Sequence, residues 1–128
     1  MEADDGKSEY RIVRTLFTHL VHSELHAFPA RGRVCEPPGR GVYVIYGPRG
    51  RPLHVGRTPR ARGGLAQRLT NHLRGRSSFV RERFEGDGSR LRRRGYGFRC
   101  LEVGNARRSA LLEAYAVGRL CPAHLGAN

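Results

Sequence analysis

Tyr43, His54, Arg68, His72 and Glu113 are the side chains whose types and spacing point to chemistry. Tyr43 and His54 lie in two short β-branched and apolar stretches separated by Gly47-Pro48-Arg49-Gly50, a turn sequence, so a hairpin brings both to one place. Arg68 and His72 are four residues apart, hence neighbours on one flank of a helix. Glu113 sits within Ala110-Leu111-Leu112-Glu113-Ala114-Tyr115-Ala116-Val117, apolar nearly all round and therefore expected to be buried. A buried carboxylate needs a cation or a metal ion as partner. On its own helix the available cations are Arg108 and Arg119. Taken singly, a strand tyrosine is ordinary core and an Arg/His pair an ordinary solvated helix edge. Together they could supply the parts of phosphodiester hydrolysis. Tyr43 or His72 would take a proton from water, Arg68 would stabilise charge on the phosphorane-like transition state, and Glu113 would hold a Mg²⁺ ion on phosphate oxygens.

These residues must be positioned by the elements the pattern predicts. Residues 41–46 and 53–56 read as strands, and 96–103 as a third. Residues 65–73 read as a helix with Leu65, Ala66, Leu69 and Leu73 on its core face and Gly75 as its stop. A further helix is expected over 77–84, capped by Ser77 or Ser78, then a loop over 86–94. A last helix is capped by Asn105 and runs to about Leu120, where Pro122 stops it. Upstream, residues 10–28 show helical periodicity, with Val13, Leu16, Phe17, Leu20, Val21 and Phe28 on one face and Pro29 as terminator. His19, His22 and His26 fall on the opposite face, which reads as a solvated polar face; three histidines there could alternatively hold a metal. Residues 31–40, rich in Gly and Pro, form a linker or docking loop. The expected fold class is α+β: a small three-stranded antiparallel sheet flanked by helices. Residues 1–40 form an N-terminal helix and linker and 41–128 the main unit, one compact domain overall.

Of the 128 residues, 24 are Lys or Arg and 11 Asp or Glu, a formal charge of +13. All the cations but Lys7 are arginine, whose fork suits bidentate contact with phosphate. A field of this size favours a polyanion. The basic run Arg90, Arg92, Arg93 and Arg94, with Arg74 and Arg76, would track a nucleic-acid backbone. No secretory signal and no apolar run near the roughly 20 residues of a bilayer span is present. Cys35, Cys100 and Cys121 lack metal-knuckle or disulfide spacing and read as reduced thiols of a cytoplasmic protein. No phosphate loop, dinucleotide fingerprint or zinc motif supports a small-molecule enzyme.

Gly41-Val42-Tyr43, followed after the turn by His54-Val55-Gly56, resembles the signature of the GIY-YIG nuclease family. Gly56-Arg57-Thr58, Leu65-x-x-Arg68-Leu69-x-x-x-Leu73 and Glu113 in an apolar helix resemble the rest of its core, so the likeness covers residues 41–128. The Arg57-Thr58 form, the Arg68/His72 pair and Ser77-Ser78-Phe79 resemble the restriction-endonuclease branch. The resemblance implies Tyr43 as the residue that activates water, His72 as its polariser, Arg68 on the scissile phosphate and Glu113 as the protein's one metal ligand. It further implies Arg57 on the backbone phosphate and Asn128 as a polar residue of the site. His54 departs from the pattern, standing where the family has its second tyrosine. An imidazole there can still donate to phosphate or water and ordinarily titrates near neutral pH.

The function expected from all this is a Mg²⁺- (or Mn²⁺-) dependent endonuclease acting on double-stranded DNA. To cut palindromic sites a domain this small would need to form a homodimer or leave sequence reading to a partner. The rivals are a catalytically inactive nucleic-acid-binding module of the same fold and an RNA-binding accessory protein.

Overall fold

The computed structural model describes residues 2–58 and 63–126, with side chains described from residue 6 onward. Three strands, β1 (Gly41–Tyr46), β2 (Pro52–Thr58) and β3 (Gly97–Glu102), form one antiparallel sheet in the order β2-β1-β3. Four helices surround it: α1 (Glu2–Val21), α2 (Gly64–Leu73), α3 (Ser78–Phe84) and α4 (Ala106–Leu120). This is the expected α+β architecture, N-terminal helix included.

β1 is central, and all six of its residues are buried. Its alternation divides the core in two. Val42, Val44 and Tyr46 join Val55, Leu20, Leu112 and Ala116 under α1 and α4. Tyr43 and Ile45 join Leu53, Leu65, Leu69, Phe79 and Phe84 under α2 and α3. Each outer edge of the sheet is paired at one place along its length, which shortens the exposed backbone that invites strand addition. On β3, His26 and Phe98 exchange backbone hydrogen bonds of 2.9 and 2.8 Å. On β2, Ala123 and His124 donate their N–H groups to the carbonyls of Pro52 and Leu53.

The first helix differs from expectation at its end. It stops at Val21, eight residues before Pro29, because Ser23 turns the chain back onto Leu20 through both its N–H and its hydroxyl. His26 therefore lies beside β3, and the three upstream histidines share no helical face. Among the described residues no group of three His, Cys, Asp or Glu could hold a metal ion. Residues 86–94 also differ, since Gly88–Arg92 forms a short 3₁₀ turn capped by the Asp87 carboxylate. Among the described residues no helix is long and apolar enough to cross a membrane. The three cysteines are free thiols.

Candidate active site

Tyr43, His54, Arg57, Arg68, His72 and Glu113 all line one cleft of about 790 Å³, between the α2/α3 side of the hairpin and α4. The expected set thus converges, with one exception: Asn128 lies outside the described residues. Local structure explains the placement. Gly56 pairs with Tyr43 across the hairpin, and a Cβ on Gly56 would sit 2.3 Å from the Tyr43 hydroxyl, so only glycine leaves room for that ring. Helix α2 begins without a side-chain cap. Its first N–H groups instead donate to carbonyls upstream, Leu65 to Gly39 and Ala66 to Pro37. That close approach requires Gly64, at φ 49° with its missing Cβ 2.0 Å from the Pro38 carbonyl oxygen. The anchored helix aims His72 inward, fully buried, while Arg68 stays exposed at the cleft mouth.

A hydrogen-bonded chain runs inward from the cleft. The Tyr43 hydroxyl and His72 Nε2 are 2.7 Å apart, and His72 Nδ1 lies 2.7 Å from Ser77 Oγ. Ser77 Oγ also accepts the Val80 N–H as the cap of α3, so the cap residue orients the imidazole. Burial pushes the Tyr43 hydroxyl up to about 12, against the pull of the neighbouring Arg68 guanidinium, which also bonds it. Burial drives His72 well below its ordinary value, and the cations around it act the same way.

His54 behaves differently from expectation. It is buried, stacked on Phe79 at 5.0 Å, and its Nδ1 is enclosed without a hydrogen-bond partner. Burial, with His124 and Arg68 nearby, takes its pKa down to about 3. Its useful form at neutral pH is therefore the neutral imidazole and not the imidazolium. Glu113 is also corrected. It is half-buried, with 32% of its side chain exposed, and its partner is neither Arg108 nor Arg119. Arg57 Nε donates to Glu113 Oε1 at 3.2 Å, across 56 residues of chain. Burial raises the Glu113 pKa while Arg57 and Arg68 pull it back.

Two cleft residues escaped sequence reasoning. His124 is buried at the cleft wall, held by the β2 edge and facing Ser78 Oγ at 3.4 Å and a Glu82 oxygen at 3.5 Å. No periodic pattern marks it, since it lies beyond α4 in an irregular segment. Ser77 carried a visible signal as a helix cap, but its bond to His72 is a tertiary fact. Of the basic residues, Arg74, Arg76, Arg93 and Arg94 are exposed. Arg92 is not a free surface cation: it donates to the carbonyls of Pro29 and Gly32 at 2.8 and 2.9 Å. Arg90 packs over the Phe84 ring.

Glu113 is the one acidic side chain lining the cleft among the described residues. A lone carboxylate in a water-open cleft fits Mg²⁺, which binds through one or two carboxylates and fills its remaining positions with waters and substrate phosphate oxygens. No protein-family model matches the chain, no curated protein matches it, and no solved structure matches its fold.

Proposed function

We propose that the protein is a phosphodiesterase and, more narrowly, a Mg²⁺-dependent endonuclease of double-stranded DNA. The observation that carries this is the Tyr43–His72–Ser77 chain opening into the same cleft as Arg68 and the cleft's single described carboxylate. The proton placement that makes Tyr43 a base puts Nδ1–H toward Ser77 Oγ and leaves Nε2 bare toward the tyrosine hydroxyl. As water attacks phosphorus, Tyr43 takes its proton and passes its own to Nε2 of His72, which burial holds in the unprotonated form. Arg68, exposed beside Tyr43, meets the charge that develops on the phosphate oxygens. His54, neutral, stacks on Phe79 in the cleft wall. Glu113 would hold a metal ion whose chemistry is to neutralise phosphate charge and polarise the phosphorus centre. The exposed Arg74, Arg76, Arg93 and Arg94 would supply affinity for the backbone without reading sequence.

Incubation with supercoiled plasmid and Mg²⁺ tests the reading. Nicked and linear products are expected from the native chain and none from Glu113→Ala, whose DNA binding in EDTA should be unchanged. Undiminished cutting by Glu113→Ala would remove the metal assignment. The Arg57–Glu113 ion pair favours one other reading, a module that binds DNA and leaves it whole, since the pair satisfies the carboxylate without any metal. Binding without cutting at any Mg²⁺ concentration would select it.

A further inference from the structure

A second concavity, of about 500 Å³, opens where the β1–β2 turn, the end of α3 and the segment before β3 meet. Four arginines line it: Arg49 and Arg51 from the turn, Arg83 from α3 and Arg90 from the 3₁₀ turn. Among the described residues no Asp or Glu does so. Among the described residues none of the four side chains makes an ion pair or a hydrogen bond, whereas other arginines are taken up by Glu9, Glu113 or backbone carbonyls. Arg90 is the most informative. Its guanidinium lies 5.0 Å over the Phe84 ring, and its Nε is buried with no partner. The side chain as a whole is half-buried, and among the described residues no acceptor lining the pocket takes up its charge. Arg49 adds an independent sign. Its backbone is left-handed, at φ 68°, in a turn where glycine or asparagine would sit without strain. Non-glycine residues held so tend to mark functional positions.

The pocket's place relative to the cleft fixes its use. Helix α3 presents Ser78 and Phe79 to the cleft and Arg83 and Phe84 to the pocket. Five residues of helix span about 7–8 Å, roughly two base steps at 3.4 Å each. Rings line the way, with Phe79 to Phe84 at 5.5 Å and Phe84 to Tyr96 at 5.8 Å. We infer that this pocket is a phosphate-binding subsite that grips the nucleic-acid backbone about two steps from the phosphate held in the cleft, with Phe84 and Tyr96 as the apolar wall for the adjoining sugar or base. The inference of spacing rests on the nuclease reading; the anion site itself does not.

The test measures the affinity of the full chain for a fluorescein-labelled 20-base-pair duplex in EDTA across a salt series, alongside plasmid cleavage in Mg²⁺. Arg49→Ala/Arg83→Ala, two exposed changes, should weaken duplex binding at least about 10-fold and lower the slope of log affinity against log salt by about one. Arg11→Ala/Arg14→Ala removes the same charge from α1, on the other side of the sheet, and should change binding far less. Equal loss in the two double variants would reduce the effect to general charge and overturn the subsite. So would unchanged binding by Arg49→Ala/Arg83→Ala, even if the native chain cuts plasmid. If the native chain never cuts but the Arg49/Arg83 variant alone loses binding, the nuclease reading fails and the subsite stands. Competition by inorganic pyrophosphate or AMP separates sources: displacement of the duplex from the native chain at millimolar AMP would make the pocket a free-nucleotide site and overturn the backbone assignment, while resistance supports it.

Discussion

On the side of the sheet that meets α1 and α4, β1 presents Val42, Val44 and Tyr46 to Leu20, Leu112 and Ala116, and the packing is almost wholly aliphatic. On the side that meets α2 and α3, the same strand presents Tyr43 to His72, with His54 and Ser77 buried nearby. Both sides are dry. One fills its volume with groups that want nothing but contact; the other holds hydroxyl and imidazole groups that must be hydrogen-bonded to be tolerated. The difference teaches that burial has separate uses on the two sides. Under α1 and α4 it stabilises the chain, and under α2 and α3 it keeps two imidazoles neutral beside a tyrosine.

The contrast breaks most sharply at Leu112, which is fully buried in the aliphatic cluster. Leu112→Ala should lower unfolding free energy by about 2–5 kcal/mol in a urea titration, with cleavage per folded molecule unaltered. A matching loss of turnover would show that the two sides are coupled. On the other side, Tyr43→Phe keeps the ring and deletes the hydroxyl. It should slow cleavage at least about 10²-fold, near 2.7 kcal/mol of barrier. Full activity would make this side a second core with polar decoration.

Acidification discriminates next. His54 falls to about 3 in the folded chain and His72 well below its ordinary 6.5, so the unfolded chain binds more protons at acid pH. Their contribution is whole above about pH 6.5 and is lost as pH falls toward the folded values. Between pH 7 and pH 5 His54 should remove about 2 kcal/mol of stability, with His72 acting in the same direction, and His54→Phe should abolish the first share. Stability independent of pH in this window would mean both imidazoles reach water. The smallest effect is expected at Ser77. Ser77→Ala should cost about 1 kcal/mol through the lost cap and, by freeing the His72 ring, should depress turnover more than affinity.

Much of this was written locally in the sequence. The strands, the caps at Ser77 and Asn105 and the extent of α4 follow from alternation and cap chemistry read over a few residues. Failures arose where a distant partner overrode a local pattern. The helical period runs on to Phe28, yet the chain leaves the helix at Val21, where Ser23 bonds back to Leu20 and His26 goes on to pair with Phe98. Neighbours on its own helix were the visible partners for Glu113; Arg57, half the chain away, took it. The convergence of Tyr43, Arg68, His72 and Glu113 was legible because each falls on a predictable face. The neutrality of His54 was not, because it depends on Phe79 and His124 closing over it.

The two hydrogen bonds from Arg92 to the carbonyls of Pro29 and Gly32 bear on how the chain comes apart. Residues 22–40 carry almost no regular structure, yet His26 is stitched to Phe98, Arg92 clasps the stretch from outside, and the Val34 N–H reaches Thr70 Oγ1 at 3.0 Å. Phe28 and Val34 are sunk in the core beneath those stitches. These contacts tie the stretch to the sheet, so Arg31 and Arg33, though exposed, should resist limited tryptic digestion while the chain is folded. Excision at Gly41 would remove the lining of the domain it aims to isolate.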